Sequence, residues 1–285
     1  MSDILLQIVA KKREEVAALR RAQPLERLRA QARDLPPALD FTAALRGARP
    51  RGAAQPGRTA RAGRTGQGVN IIAEIKLRSP SKGTFAWHGD AVKQARDYEL
   101  GGAAAISVVT DGPFFGGSTE LLRTVKAATE LPVLQKEFLL EPWQVYYART
   151  LGADACLLIA AILPGAQLAG MLATAREAGL HTLVEVVNAE EHRRATEGGA
   201  TVVGVNNRDL TTFRVDPART EALVPLYRDE QVCVAESGIH TAQDVARLLA
   251  AGVDAFLIGE ALMTAPDPVA HLRALRGDRL HEAAS

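Results

Sequence analysis

The 285-residue sequence predicts an α/β protein, a (β/α)8 TIM barrel with a helical extension at its N-terminus. Short apolar runs start near residues 70, 103, 131, 154, 181, 201, 231 and 254, and the stretches between them have helical periodicity. Strands that alternate with helices pair in parallel through right-handed crossovers. Eight such units over roughly 200 residues suit a closed barrel. A doubly wound open sheet is the alternative, which the lack of a G-x-G-x-x-G turn after the first strand disfavours.

Three segments are predicted along the chain. Residues 1–46 form the extension, in which apolar residues at helical spacing predict a helix over 3–22 and Pro24 begins a shorter one over 24–32. Residues 47–68 carry five arginines and no acid among Gly, Ala and Pro, which predicts a flexible, solvated insertion. A basic arm for an acidic partner is the alternative role for this segment. Residues 69–278 form the predicted barrel domain.

Composition narrows the class of protein. The net charge of +1 gives no reason to expect a nucleic-acid partner, and no apolar run is long enough to span a membrane. The start of the chain lacks the layout of a signal peptide. Cys156 and Cys233 lie in apolar runs and are expected to be buried thiols, and the six histidines show no metal-ligand spacing. We expect a cytoplasmic protein without metal or cofactor, compatible with a monomer.

Polar residues end five of the predicted strands, at the barrel face where active sites form. They are Glu74, Lys76, Lys136, Glu185, Asn206, Arg208, Glu236 and Ser237. One such residue is commonly a solvated rim or a salt bridge. Buried charges, however, cost several kcal/mol unless they neutralise one another or a ligand, so five strands that bring charges to one rim predict a substrate site. Glu74 and Lys76 point the same way because strand side chains repeat every two residues.

The last two units carry a second pattern, which predicts a phosphate site. A Ser-Gly turn at Gly238 precedes a helix with Thr241 as its expected N-cap and Asp244 three residues later, and the last strand ends at Gly259. Glycine lets backbone N–H groups approach an anion, and barrels often bind phosphate after strands 7 and 8. The alternative is that these glycines serve only tight turns.

Six stretches together resemble the indole-3-glycerol phosphate synthase family of tryptophan biosynthesis. They are "IAEIKLRSPSKG", "PVLQKEF", "LVEV", "GVNNRDLTTF", "VAESGI" and "FLIGEALM", supported by "IVAKKREEV" and "FFGGS". The resemblance spans the chain except 47–68. It implies a barrel whose N-terminal extension covers the mouth. The implied reaction closes the ring of 1-(2-carboxyphenylamino)-1-deoxyribulose 5-phosphate and loses CO2 and water to give indole-3-glycerol phosphate.

The resemblance also implies residue roles. Lys136 matches the general acid, and Lys76 matches the lysine that meets the anthranilate carboxylate and assists dehydration. Glu185 and Glu74 match carboxylates that position these lysines and handle protons, while Asn206 is expected to hold the substrate. Asn206 and Ser237 complete the implied catalytic group, and Ser237 also falls near the phosphate. The other implied substrate and phosphate contacts are Ser79, Arg208, Glu236, Gly238, Gly259 and Glu260. An apolar wall of Phe115, Phe138, Leu158 and Leu210 is implied for the aromatic ring, with core packing as the alternative.

Two positions depart from the family pattern. Glu137 replaces the usual aspartate after Lys136, which puts the fine positioning of that lysine in question, and "LVEVVN" lacks a histidine often found there. Two rival functions remain open. A phosphoribosylanthranilate isomerase would need a Cys–Asp pair, and no cysteine ends the first strand; a non-catalytic sugar-phosphate binder would not need Lys136 with Glu185.

Overall fold

Parallel strands close into an eight-stranded barrel in the part of the chain that the computed structural model describes, residues 3–46, 69–80, 82–85, 89–209 and 214–278. The strands are β1 (Asn70–Ile75), β2 (Ala105–Val109), β3 (Val133–Lys136), β4 (Ala155–Ile159), β5 (His181–Val186), β6 (Val202–Asn206), β7 (Val232–Glu236) and β8 (Ala255–Ile258). Each pairs with its neighbour in chain order, and β1 closes the ring on β8, with Asn70 opposite Ala255. The predicted fold is therefore confirmed. The predictions for 47–68 and for Leu210 lie outside the described residues.

The strands form because their runs of Val, Ile, Leu and Ala are buried on both faces, as parallel sheets require. Every strand begins within two residues of its predicted start. The helices that follow the strands are α4 (Ala91–Leu100), α5 (Gly112–Phe115), α6 (Thr119–Ala128), α7 (Pro142–Thr150), α8 (Gln167–Glu177), α9 (Ala189–Glu197), α10 (Ala218–Leu223), α11 (Ala242–Ala251), α12 (Glu260–Met263) and α13 (Pro268–Arg276). The four-residue helices α5 and α12 lie at the mouth, where Phe115 and Glu260 line the cavity, and the longer helices cover the outside of the barrel. Thr241 caps α11 in a capping box with Asp244, as the sequence predicted.

Three helices precede the barrel and run from its mouth to its opposite end. They are α1 (Asp3–Ala22), α2 (Leu25–Asp34) and α3 (Phe41–Arg46). The first matches the predicted helix, but α2 begins one residue after Pro24, which serves as its N-cap, and ends two residues later than predicted. α2 packs on α7, where Trp143 Nε1 donates to Gln23 O at 2.7 Å. α3 packs beside the start of β1, where Asn70 Nδ2 donates to Leu45 O at 2.6 Å.

Two further sequence expectations concern the described residues. Cys156 and Cys233 are free, buried thiols, as predicted. Among the described helices, none combines the length and the apolar character that a membrane span would need.

Candidate active site

A cavity opens at the carboxyl ends of the barrel strands, where the sequence placed the site. Eleven predicted residues line it: Glu74, Lys76, Ser79, Phe115, Lys136, Phe138, Glu185, Asn206, Arg208, Ser237 and Glu260. They come from seven of the eight strands or the loops after them, all but β4, because parallel strands all end at the same face. The site is thus assembled from residues as distant in sequence as Glu74 and Glu260.

Lys136 lies at the centre of the charged floor. Its Nζ is 3.0 Å from Glu236 Oε2 and 3.2 Å from Glu74 Oε2. Burial alone would lower the pKa of Lys136, but Glu236, Glu74 and Glu185 together raise it well above its usual value. The side chain is therefore held as an ammonium, the protonated form that a general acid requires.

The carboxylate of Glu74 is paired with both lysines, Lys76 and Lys136. Lys76 Nζ donates to Glu74 Oε1 at 2.6 Å, while the other carboxylate oxygen faces Lys136. Burial by itself would raise the pKa of Glu74, and the two lysines outweigh it and lower that pKa to about 2. A carboxylate on β1 and an ammonium directly after it, two residues apart, thus form one ion pair aimed into the mouth.

Glu236 behaves differently, although it also contacts Lys136. Burial is the main cause that raises the pKa of Glu236 to about 7; Lys136 opposes the rise and Glu185 adds to it. Its side chain is only 1% exposed, and it lies beneath the cavity rather than in its lining. Predicted as a substrate contact, Glu236 is placed instead as a partner of Lys136.

Glu185 and Asn206 form the adjacent side of the floor. Asn206 Nδ2 donates to Glu185 Oε1 at 3.1 Å, and Asn206 Oδ1 accepts from the backbone N–H of Arg208 at 2.9 Å. These two bonds fix which way the amide of Asn206 faces. The end of β5 and the loop after β6 are joined through this one side chain.

At the rim, Glu260 bridges two cations. Lys82 Nζ lies 3.1 Å from Glu260 Oε1, and Arg208 Nη2 lies 3.6 Å from Glu260 Oε2. The loop after β1, the loop after β6 and the start of α12 therefore meet at one carboxylate. Lys82 was not predicted, because its place in the sequence shows only a turn residue.

Only some of the residues predicted near the phosphate line the cavity. Ser237 has φ 67°, making it the only non-glycine residue with a positive φ among those described, and Gly238 follows with φ 74°. Ser237 and Glu260 line the cavity, whereas Gly238 and Gly259 do not. A Cβ built at Gly259 would collide with Glu74 Oε1, so this glycine also makes room for a buried carboxylate.

The apolar wall is partly as predicted. Phe115 and Phe138 both line the cavity, with ring centroids 6.0 Å apart. Leu158 does not match its predicted place: it is fully buried and does not line the cavity, while Leu157 and Ile159 do. Alternation along β4 turns Leu158 toward the opposite face of the strand.

The resemblance implied that the N-terminal extension covers the mouth, but the sequence did not identify which of its residues form the roof of the site. Ile4, Leu5 and Ile8 of α1 line the cavity from above. Further along α1, Lys12 Nζ lies 3.1 Å from Asp111 Oδ1 and 3.1 Å from Glu137 Oε1. Only the apolar residues of α1, at helical spacing, signalled that one face of the helix would be buried.

Glu137 lies at the centre of this buried cluster. It also accepts from Thr110 Oγ1 at 2.9 Å, while Lys12 additionally pairs with Glu15 at 2.7 Å. Burial raises the pKa of Glu137, and Lys12 opposes that rise. The acid that replaces the family's aspartate thus reaches the N-terminal helix.

No three metal-ligating side chains among the described residues are grouped to hold a metal ion.

Comparison with known proteins identifies what the chain is similar to. The family model described as indole-3-glycerol phosphate synthase matches residues 5–275. Indole-3-glycerol phosphate synthase of Azoarcus sp. is 46% identical over 97% of this chain and 100% of its own length. The one from Chlorobium luteolum is 44% identical over 94% of this chain and 98% of its own length.

Solved structures support the fold alone. Thiamine phosphate pyrophosphorylase from Pyrococcus furiosus aligns with a TM-score of 0.56 at 20% identity, over 73% of this chain and 94% of that chain. N-acetylmannosamine-6-phosphate 2-epimerase from Clostridium perfringens aligns with a TM-score of 0.55 at 17% identity, over 68% and 88% of the respective chains. At such low identity these likenesses carry no argument about the reaction.

Proposed function

The chain belongs to the indole-3-glycerol phosphate synthase family, and we propose that its barrel mouth carries out the ring closure of that reaction. The substrate is 1-(2-carboxyphenylamino)-1-deoxyribulose 5-phosphate, and the products are indole-3-glycerol phosphate, CO2 and water. The protein is thus a carboxy-lyase of tryptophan biosynthesis. The observation that carries the residue assignment is Lys136, held as an ammonium between Glu74 and Glu236 on the floor of the cavity.

Ring closure needs an acid at one atom. The aromatic carbon that bears the carboxylate attacks the ketone carbon of the ribulose chain, and the ketone oxygen takes up a proton to become a hydroxyl. Lys136 donates that proton, because its two carboxylate partners keep it charged and point it into the cavity. Loss of CO2 then returns the electron pair of the broken C–C bond to the ring, which regains its aromaticity. General acid–base help of this kind contributes about 10²–10⁴-fold.

Dehydration completes the indole. The new hydroxyl leaves as water when it is protonated, and a proton is lost from C1 of the ribulose chain, the CH2 carbon next to the nitrogen, as the double bond forms. Lys76 supplies the acid and holds the substrate carboxylate beforehand, since it lines the cavity beside Glu74. Glu185 accepts a proton in the later steps, with Asn206 fixing its orientation.

The opposite side of the mouth holds the phosphate. The side chains of Ser79 and Ser237, which line the cavity, are the proposed donors, and Gly238 and Gly259 are proposed to let the backbone after β7 and β8 approach the phosphate from behind the cavity lining. Arg208 and Lys82 add positive charge at the rim, where both pair with Glu260. The rings of Phe115 and Phe138 cover the anthranilate face.

The rival functions fit the site less well. An isomerase with a Cys–Asp pair would need a thiol at the mouth, but Cys156 and Cys233 lie fully buried in β4 and β7. A non-catalytic binder would have no use for an ammonium enclosed by three acids. Location in the cytoplasm and a monomeric state stay predictions, the second of which light scattering tests.

The decisive experiment is a turnover assay that follows indole fluorescence as the protein acts on the synthetic substrate. Lys136→Met removes the acid and keeps the volume of the stem, so kcat is expected to fall by at least about 100-fold. Lys93→Met, on the exposed face of α4, is the control and should keep full activity. No indole product from the wild-type protein would reject the function, and Lys136→Met with more than about a tenth of wild-type kcat would reject the role of Lys136.

A further inference from the structure

Gly204 lies in the middle of β6 and faces the inside of the barrel. It is paired in register with Glu185 on β5 and with Val234 on β7. A Cβ built at this position would collide with Glu236 Oε1 and would lie 3.1 Å from Glu236 Cδ and 3.1 Å from Leu183 Cδ1. Because Gly204 has no side chain, the Glu236 carboxylate can occupy the space that a Cβ at position 204 would fill.

The two oxygens of Glu236 have different surroundings. Oε2 lies 3.0 Å from Lys136 Nζ, whereas Oε1, over Gly204, has no hydrogen-bond partner among the described residues. A buried carboxylate oxygen without a partner is costly, so its position needs a reason. In the observed orientation Oε2 contacts Lys136 while Oε1 fills the space over Gly204.

A methyl group at position 204 would force the Glu236 carboxylate to move. Oε1 is the end of a flexible side chain and can rotate away, but Glu236 is 1% exposed and enclosed by the barrel interior. Oε1 and Oε2 move together, so a shift that clears the methyl group withdraws Oε2 from Lys136. The ammonium would then keep only Glu74 at contact distance.

We propose that Gly204 is a positioning residue for ring closure: the lack of a side chain there seats the Glu236 carboxylate so that it holds Lys136 in place. The inference rests on the proposed function, in which Lys136 is the acid. Gly204 itself touches no substrate, and it acts only through Glu236. A displacement of about 1 Å at a catalytic group can cost about 10²-fold in rate.

The first test compares two glycine-to-alanine variants. Gly204→Ala is expected to lower kcat between about tenfold and 100-fold, with a much smaller change in KM. Gly170→Ala is the matched control, since it lies on α8 with no atom within 4 Å of a built Cβ, and it should match the wild type. Wild-type kcat in Gly204→Ala would overturn the proposal.

The second test separates positioning from a structural role. In a Glu236→Ala background there is no carboxylate to displace, so adding Gly204→Ala should lower kcat no further. An equal loss in both backgrounds would overturn the proposal. The alkaline limb of the kcat profile should also move to lower pH in Gly204→Ala, because Lys136 would lose its contact with Glu236, an acid that raises the pKa of Lys136.

Two further measurements keep the proposal testable if Gly204→Ala does not fold or if the wild-type protein makes no indole product. If Gly204→Ala does not fold, the double variant with Glu236→Ala should fold and melt like Glu236→Ala alone; a double variant that also fails to fold would contradict the proposal. If the wild-type protein makes no indole product, the proposed function fails by itself. A crystal structure of Gly204→Ala then still shows whether Glu236 has left Lys136, and an unchanged distance between them overturns the positioning role.

Discussion

Lys76 and Lys136 share one carboxylate, yet the structure gives them different freedom. Lys136 has a second acid within 3.0 Å, whereas Lys76 has Glu74 at 2.6 Å and the ring of Phe85 at 5.9 Å from its Nζ. An incoming substrate carboxylate can therefore compete with Glu74 for Lys76 without stripping Lys136 of its counter-charge. The two lysines are suited to different steps for this reason.

Lys76→Arg tests whether Lys76 gives up a proton or only anchors charge. A guanidinium, with a pKa above about 12, keeps the charge but releases its proton too reluctantly for dehydration. We expect kcat to fall by at least about 100-fold, the range for a lost general acid, with a much smaller change in KM. Steady-state kinetics measure both values. Lys93→Arg, in the exposed pair with Asp97, is the control, and a Lys76→Arg variant with raised KM but wild-type kcat would make Lys76 a binding residue.

Leu158 shows where sequence reasoning stopped at the level of single residues. The positions of the polar strand ends could be predicted because a charged side chain is costly to bury unpaired, so it is expected to face the mouth of the barrel. The segment "ACLLI" is apolar throughout and buried on both faces, so its pattern does not show which residues face inward. Gly204 and Lys12 were missed for a related reason, since their partners come from other strands and helices.

At the scale of elements, α1 is fastened to the part of the barrel that carries the acid. Lys12 reaches Glu137, which follows Lys136 at the end of β3, and Asp111, which caps α5 by accepting from the N–H of Phe114 and Phe115. One buried cation thus joins the roof to the catalytic strand and to the aromatic wall. The sequence predicted the helix and its apolar face, but the acids that fix it in place lie about 100 residues later.

Lys12→Met is expected to loosen this connection. It leaves Asp111 and Glu137 buried without their cation, and breaking a buried ion pair costs on the order of 3 kcal/mol. The free energy of unfolding, measured in urea, should fall by about that amount, and KM should rise because Ile4 and Leu5 no longer hold their places over the cavity. Both effects follow from one contact.

Lys11→Met is the matched control, one residue away on the same helix. Lys11 pairs with Glu14 in solvent, both side chains being more than half exposed, and exposed pairs contribute little. This variant should keep the stability and the KM of the wild type. Equal behaviour of the two variants would show that Lys12 does not hold α1 over the site.

At the scale of the whole molecule, the extension joins opposite ends of the barrel. α1 covers the mouth, α2 runs along α7, and α3 reaches the start of β1 at the far end. Leu45 and Asn70 are hydrogen-bonded there at 2.6 Å, so the residues on either side of segment 47–68 are held together. The six residues of β1 separate that point from the mouth by about 20 Å, at roughly 3.3 Å per residue.

Deleting residues 49–66 is therefore expected to leave kcat and the melting temperature nearly unchanged. The segment's Arg, Gly, Ala and Pro residues supply little apolar area to bury. The four residues that remain between Arg46 and Val69 can span about 13 Å, enough for two ends already held by the contact of Leu45 with Asn70. Turnover and thermal melting of the shortened chain measure the outcome.

The alternative is that the basic segment acts at the active site, since its full length could extend past the rim of the mouth. A large loss of activity at unchanged melting temperature would show that the arginines act on the substrate or on the roof, and replacing all five with glutamine in the full-length chain would then reproduce the loss.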